Sequence, residues 1–285
     1  MNLGLVLSGG GVRGSAHIGV LKALHEANIK PHFISGTSAG SIVAGLYAYG
    51  YSPPEIHIIA KRISKKYYDV DYSGIIASFL DKIFSYQLSI SGLIKGDYLE
   101  DLFNELTKDI KIKNIKFPLA ITAVDINSTE IVTFTSCTNS LLSRSDYKFI
   151  REAKLSEAIR ASIAIPGIFK PKIFKKMRLV DGGIRANLPV EITRMMGAHK
   201  VIAVNLSYNG NPVPGVDDIL EISLQAIDLM IYQITRPSMQ SADIIISPNI
   251  NYVHQGDISK IDYIVNCGYK ATLEAMPRIK KLVQS

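Results

Sequence analysis

The chain has 285 residues, 47% of them apolar, a formal net charge of +7 and only 2 cysteines. That apolar content suffices for a large core and excludes a disordered chain, and two cysteines without C-x-x-C or histidine-flanked spacing give neither a disulfide framework nor a zinc site. With no internal repeat, low-complexity tract or Gly/Ser-rich linker, one domain over residues 1–285 is expected, in a reducing, cytoplasmic setting.

Residues 3–7 (LGLVL) read as a core strand, which leaves no room for a cleavable signal peptide ahead of it. The strand ends in Gly9-Gly10-Gly11-Val12-Arg13-Gly14, a loop that exposes backbone amides, and a helix follows over about 15–27. A second strand over 31–35 turns into an apolar helix over 41–49 through Gly36-Thr37-Ser38-Ala39-Gly40, a G-x-S-x-G pentapeptide. In this context the serine stands at the apex of a tight strand-to-helix turn, with its hydroxyl exposed before the positive end of a helix. Ser38 is therefore a candidate nucleophile, and Gly36 and Gly40 make room for its turn.

Gly9, Gly11 and Gly14 also satisfy G-x-G-x-x-G, the dinucleotide fingerprint. That reading needs an acid near the end of the second strand to hold a ribose, and Ser35, Gly36 and Thr37 stand there instead. A phosphate-binding P-loop fails as well, because Ser15 and Ala16 follow the loop where Lys and Ser/Thr are required. The loop Gly9, Gly10, Gly11, Val12, Arg13, Gly14 is read as an oxyanion hole, in which the amides of Gly10, Gly11 and Val12 meet a developing negative oxygen. No cofactor and no metal is implied.

A helical cap insertion is expected at about 54–96. Its first apolar stripe, Ile56, Ile59 and Ile63, has Lys61, Arg62, Lys65 and Lys66 on its polar side and end, suiting either a solvated surface or anionic lipid. Its second, Ile75, Ile76, Phe79, Leu80, Ile83 and Phe84, suits either a helix packed on the core or a lid over an acyl-chain pocket. The uncharged window 33–54 is broken by the serine turn and by Pro53-Pro54, so it does not read as a membrane span.

Strands are expected next at 118–125 and 131–135, then a basic hairpin over 170–178 and a short strand over 178–180 that leads into Asp181-Gly182-Gly183. The hairpin suits lipid headgroups or a plain charged turn. Asn187-Leu188-Pro189 follows, then a helix over 190–196, a buried strand over 200–206, a surface loop over 209–215, a helix over 216–235 and a strand over 243–246. This alternation implies an α/β fold, a largely parallel central sheet covered by helices on both faces. The glycine loop and the serine turn then share the rim at the carboxyl ends of the strands, where crevices form in such sheets. Nucleic acid is a poor partner, because the basic residues lack aromatic interleaving or a binding motif.

The amide-rich loop, the serine turn and the late acid, with the run Ala161-Ser162-Ile163-Ala164-Ile165-Pro166-Gly167-Ile168-Phe169 and with Asn187-Leu188-Pro189, resemble the patatin-like phospholipases over most of the chain. The resemblance implies a three-layer sandwich and hydrolysis of lipid carboxylic esters, of phospholipase A or lysophospholipase type. It implies a dyad without histidine, Ser38 as nucleophile and Asp181 of the Asp181-Gly182-Gly183 turn as proton acceptor. His199 and His254 follow Asp181 in the order of a Ser-His-Asp triad, but neither has a distinguishing context, and His17 is expected to bond locally. An acyltransferase of related fold and a regulatory protein on a hydrolase scaffold are the other readings. Expected partners are a lipid or acyl ester and, at the inner membrane face, anionic lipid; the oligomeric state is left open.

Overall fold

A computed structural model describes residues 2–67, 94–138, 144–207, 219–250, 253 and 258–284. The second apolar stripe (75–84), the loop 209–215 and His254 lie outside the described residues. In chain order the elements are β1 (Leu3–Leu7), a 3-10 turn (Gly11–Ser15), α1 (Ala16–Glu26), β2 (Phe33–Thr37), α2 (Ala39–Tyr49), α3 (Pro53–Tyr67) and α4 (Asp97–Thr107). Then come β3 (Leu119–Asp125), β4 (Ile131–Thr135), β5 (Tyr147–Ile150), α5 (Leu155–Ser162), β6 (Lys172–Phe174), β7 (Met177–Asp181), α6 (Gly183–Ala186) and α7 (Val190–Met195). The last are β8 (Lys200–Val204), α8 (Ile219–Ser241), β9 (Ile244–Ile246) and α9 (Ile261–Gln284).

The strands form one mixed, mostly parallel sheet in the order β5-β4-β3-β2-β1-β8-β9, with β7 pairing to β3 and β6 to β7. β1 lies between β2 and β8, parallel to both. Its side chains alternate between two cores, as the pleat requires: Leu3, Leu5 and Leu7 enter one, and Val6 enters the other. β8 repeats the pattern, with Ile202 and Val204 in the first core and Val201 and Ala203 in the second. The first core is covered by α1, α2, α3, α5 and α9. On the other face α7 packs on β1, β2 and β8, and α8 packs on α7. Two apolar sheet faces, each with its own helices, make the three-layer sandwich.

The serine turn begins two residues further along than the apolar run 31–35 suggests. Gly36 and Thr37 still pair with β3, so the strand runs straight into the turn. In α3, Ile56 and Ile59 are buried and Ile63 packs beside them, so this stripe faces the core, while Lys61 bonds Asp262 of α9 at 2.7 Å. α9 escapes a sequence reading because its apolar positions are diluted by lysine, arginine and glutamate on its open side. It nevertheless buries Ile261, Ile264, Val265, Ala275, Met276 and Ile279.

α1 and α9 cross where Gly19 and Gly268 let the backbones touch. A Cβ at Gly19 would overlap the Val265 carbonyl, and one at Gly268 would overlap the Ala16 carbonyl. In an open helix Gly→Ala stabilises by roughly 1 kcal/mol. Here the sign should reverse: Gly19→Ala and Gly268→Ala are each expected to lower the unfolding free energy by about 1–3 kcal/mol through overpacking, as read by urea denaturation.

Candidate active site

Two strands share one edge of β3 and run toward each other along it. β2 is parallel to β3 and ends with Thr37 opposite Thr122. β7 is antiparallel to β3 and ends with Asp181 opposite Ala123. The other edge of β3 is filled by β4 over the same residues, so β2 and β7 meet head to head. The residue after Thr37 is Ser38. Sheet register alone thus brings Ser38 and Asp181 together from 143 positions apart in the chain.

Thr37 fastens the junction, its hydroxyl bonded to that of Thr122 at 2.6 Å and donating to the Ala186 carbonyl at 2.7 Å. The segment after α5 fastens it again: the Ser162 hydroxyl accepts the Ser38 N–H at 2.8 Å, and the Ala164 carbonyl accepts the Asp181 N–H at 2.9 Å. This is what the run Ala161 to Phe169 does physically, and nothing in its residue types announces it.

Ser38 has φ 53° and ψ −126°, a conformation that L residues rarely adopt. Its carbonyl accepts the Ser41 N–H at 2.8 Å and the Ser41 hydroxyl at 2.6 Å, which together with the Ser162 bond hold the strained residue in place. The turn closes only because its flanks lack side chains. A Cβ at Gly36 would overlap the Gly40 carbonyl, and one at Gly40 would overlap the Leu7 carbonyl.

The glycine loop lies against this turn. A Cβ at Gly9 would stand 3.2 Å from that of Ser38 and 2.6 Å from Asn187 Oδ1. Asn187 Oδ1 accepts the Gly9 N–H at 3.1 Å, and its Nδ2 donates to the hydroxyls of Ser207 at 2.7 Å and Thr235 at 3.2 Å. Beneath the loop, buried His17 donates from Nε2 to the Ser8 carbonyl at 2.8 Å, and burial pushes its pKa down to about 4, so the ring is neutral. The Ser8 hydroxyl bridges the Gly9 carbonyl and the Leu206 N–H.

These bonds narrow the six-residue loop assignment. The Gly9 N–H is committed to Asn187, the Arg13 N–H bonds the Gly10 carbonyl at 3.1 Å, and Gly14 lies inside the 3-10 turn, packed on Ala39. The amides of Gly10, Gly11 and Val12 have no partner among the described residues. The Arg13 side chain pairs with Asp228 of α8 at 3.3 Å.

Asp181 is buried. Its Oδ1 accepts the Gly183 N–H at 2.7 Å, and the Ser38 side chain lies near enough to its carboxylate to favour the charged form. Loss of water pushes its pKa up to about 6; Ser38 and the Gly183 bond pull the other way, and negative Asp228 adds to the rise. A cavity opens onto both residues, lined by Gly10, Gly11, Arg13, Asn187 and Asp228 and by the apolar Ile165, Pro166, Leu224, Ile227 and Ile231. Gly182 allows the turn after Asp181 to press on β3, since a Cβ there would stand 2.6 Å from Thr122 Oγ1. Among the described residues no histidine lines the cavity: His17 lies under the loop, and His199 is exposed at the start of β8, the far end of the sheet. Asn187 and Asp228 were not identified as contributors from sequence. Asn187 stood in a quoted motif, whereas Asp228 is one acid within a long helix.

Residues 5–194 match the family model described as patatin-like phospholipase. The chain belongs to the patatin-like phospholipase family. It is 27% identical over 295 residues to patatin-like phospholipase domain-containing protein 6 of Mus musculus, covering 94% of this chain and 20% of that protein. It is 33% identical over 214 residues to lysophospholipase NTE1 of Scheffersomyces stipitis, covering 74% of this chain and 12% of that protein. The chain thus spans a fifth or less of the length of these patatin-like relatives. In fold it is similar to VipD from Legionella pneumophila, with a TM-score of 0.53 at 15% identity over 97% of this chain and 67% of that one.

A carboxyl held at about 6 when its ordinary value is 3.8 opposes folding at neutral pH. The folded state binds the proton more tightly, so this destabilisation grows between pH 4 and 6 and is complete above pH 6. Asp181→Asn keeps the shape and removes the charge. It is expected to raise the unfolding free energy at pH 8 by roughly 3 kcal/mol, with the gain vanishing below pH 4, as measured by denaturant titration across pH.

Proposed function

We propose that this chain is a serine acyl hydrolase that cleaves carboxylic esters of lipids, with residues 1–285 acting as one catalytic domain. The observation that carries the proposal is a hydroxyl on a strained turn, set beside a buried, charge-disfavoured carboxylate and three amides that have no partner among the described residues. Ser38 Oγ attacks the acyl carbonyl as its proton passes to Asp181, whose dry setting makes a carboxylate a competent base. The amides of Gly10, Gly11 and Val12 take the negative oxygen of the tetrahedral intermediate. Its collapse breaks the ester bond, and Asp181 returns the proton to the leaving alcohol. Water, deprotonated by Asp181, then attacks the acyl-serine, and as the fatty acid leaves Asp181 returns that proton to Ser38 Oγ.

The apolar wall of Ile165, Pro166, Leu224, Ile227 and Ile231 favours an acyl chain over a charged group. The naming of similar proteins as lysophospholipases supports a phospholipid or lysophospholipid substrate. No described helix is long and apolar enough to cross a membrane. Contact with an anionic lipid surface is supported by exposed Lys175, Lys176 and Arg178 in the hairpin of β6 and β7, which projects beyond the carboxyl end of β3.

Ser38→Ala and Asp181→Asn are each expected to cut hydrolysis of nitrophenyl and lysophospholipid esters by at least ~1,000-fold with the fold retained, and the double variant should be hardly slower than either. The wild-type rate should rise with pH through about 6 and then level. Full activity in Asp181→Asn, with loss on replacing His17 or His199, would move the base role to a histidine.

A further inference from the structure

The apolar arc of α8 is wider than the single stripe of an ordinary surface helix and runs from its cavity side round to its solvent side. Leu224, Ile227 and Ile231 wall the cavity. At 100° per residue Ile222 and Leu229 fall opposite that wall, and Met230 and Ile234 fall on the flank that joins the two; Ile222 is 52% exposed, Leu229 43%, Met230 57% and Ile234 40%. The only charged residue from 222 to 234 is Asp228, which is turned to Arg13. The result is an uncharged, solvent-facing stripe about 18 Å long on a chain of net charge +7. The main partners of α8 among the described residues are α6 and α7.

We propose that the outer stripe of α8 seats on the apolar layer of a lipid surface and presents the cavity to it. This rests on the acyl hydrolase reading of the cavity. Three observations select lipid over a second copy of the chain. The same helix forms the cavity wall, so whatever covers its outer side lies beside the cavity, where a protein would hinder entry and a lipid layer would supply substrate. The helix is too weakly apolar to cross a bilayer but suits lying in one face of it. Exposed Ile126 and Ile173 flank Arg178 in neighbouring strands at the same carboxyl end of the sheet, near Lys175 and Lys176, giving the mixture of apolar and basic groups that an anionic interface accepts.

The test is co-sedimentation of the full chain, carrying Ser38→Ala so that the lipid is not consumed, with phosphatidylcholine vesicles containing phosphatidylglycerol. Adding Leu229→Ser and Met230→Ser is expected to weaken binding at least ~10-fold. The same pair in the active protein should slow hydrolysis of vesicle lipid comparably while leaving a water-soluble short-chain ester within about twofold, since neither side chain lines the cavity. Ile222→Ser with Ile234→Ser replaces the pair if that variant does not fold. Equal vesicle binding with and without the stripe would overturn the proposal, as would loss of short-chain activity in step with vesicle activity. A change from dimer to monomer with vesicle binding intact would assign the stripe to self-association instead. Binding is read without turnover, so stripe-dependent binding in a chain that hydrolyses no ester would defeat the hydrolase reading and leave the docking surface standing.

Discussion

Everything at the site depends on one edge of β3 being shared by two strands that arrive from opposite directions. A parallel neighbour delivers Ser38 and an antiparallel neighbour delivers Asp181, and the ladder sets Thr37, which precedes the serine, and Asp181 opposite adjacent residues of β3. Strands inside a packed sheet hold position better than loops do, so a nucleophile and an acid fixed by register need little further alignment. The bonds from Ser162, Ala164, Thr37 and Thr122 lock the junction rather than create it.

In the proposed mechanism a carboxylate serves where histidine is the usual choice, and the same arrangement accounts for it. Asp181 ends a buried strand, with a glycine amide and a hydroxyl for company and no described cation beside it. Arg13, which lines the same cavity, is held by Asp228. A cation close to Asp181 would favour its ionised form and weaken it as a base; burial does the reverse. Burial here disfavours the charge that must be neutralised when the proton moves, so the site draws its chemistry from dehydration.

How much of this was legible in the sequence differs by the kind of constraint. The serine turn and the glycine loop carry local signals, because a sharp turn and close backbone approach demand glycine. The sheet order follows less directly. β5 and the short β6 carry mixed polar and apolar residues and do not stand out, although the charged turn joining β6 to β7 does. α9 was missed because its charged positions mask its periodicity. Inside the site, the narrowing of the loop to three amides was beyond reach, since it depends on Asn187 folding back 178 positions to occupy the Gly9 N–H. Hydrogen bonds between distant residues leave no mark on residue type alone.

The crossing of α1 and α9 has a bearing on how the molecule comes into being. α9 also touches the 3-10 turn of the glycine loop, so residues 11–16 rest on residues near 268. On a ribosome the first strand and its loop emerge long before the helix that supports them. The amide cradle therefore waits, unsupported, for nearly the whole of this segment to be translated. Contacts across 250 positions close late and slowly. A chain interrupted before α9 would carry the serine turn and the acid but lack the helix on which the glycine loop rests, so the proposed chemistry waits until synthesis has passed residue 268.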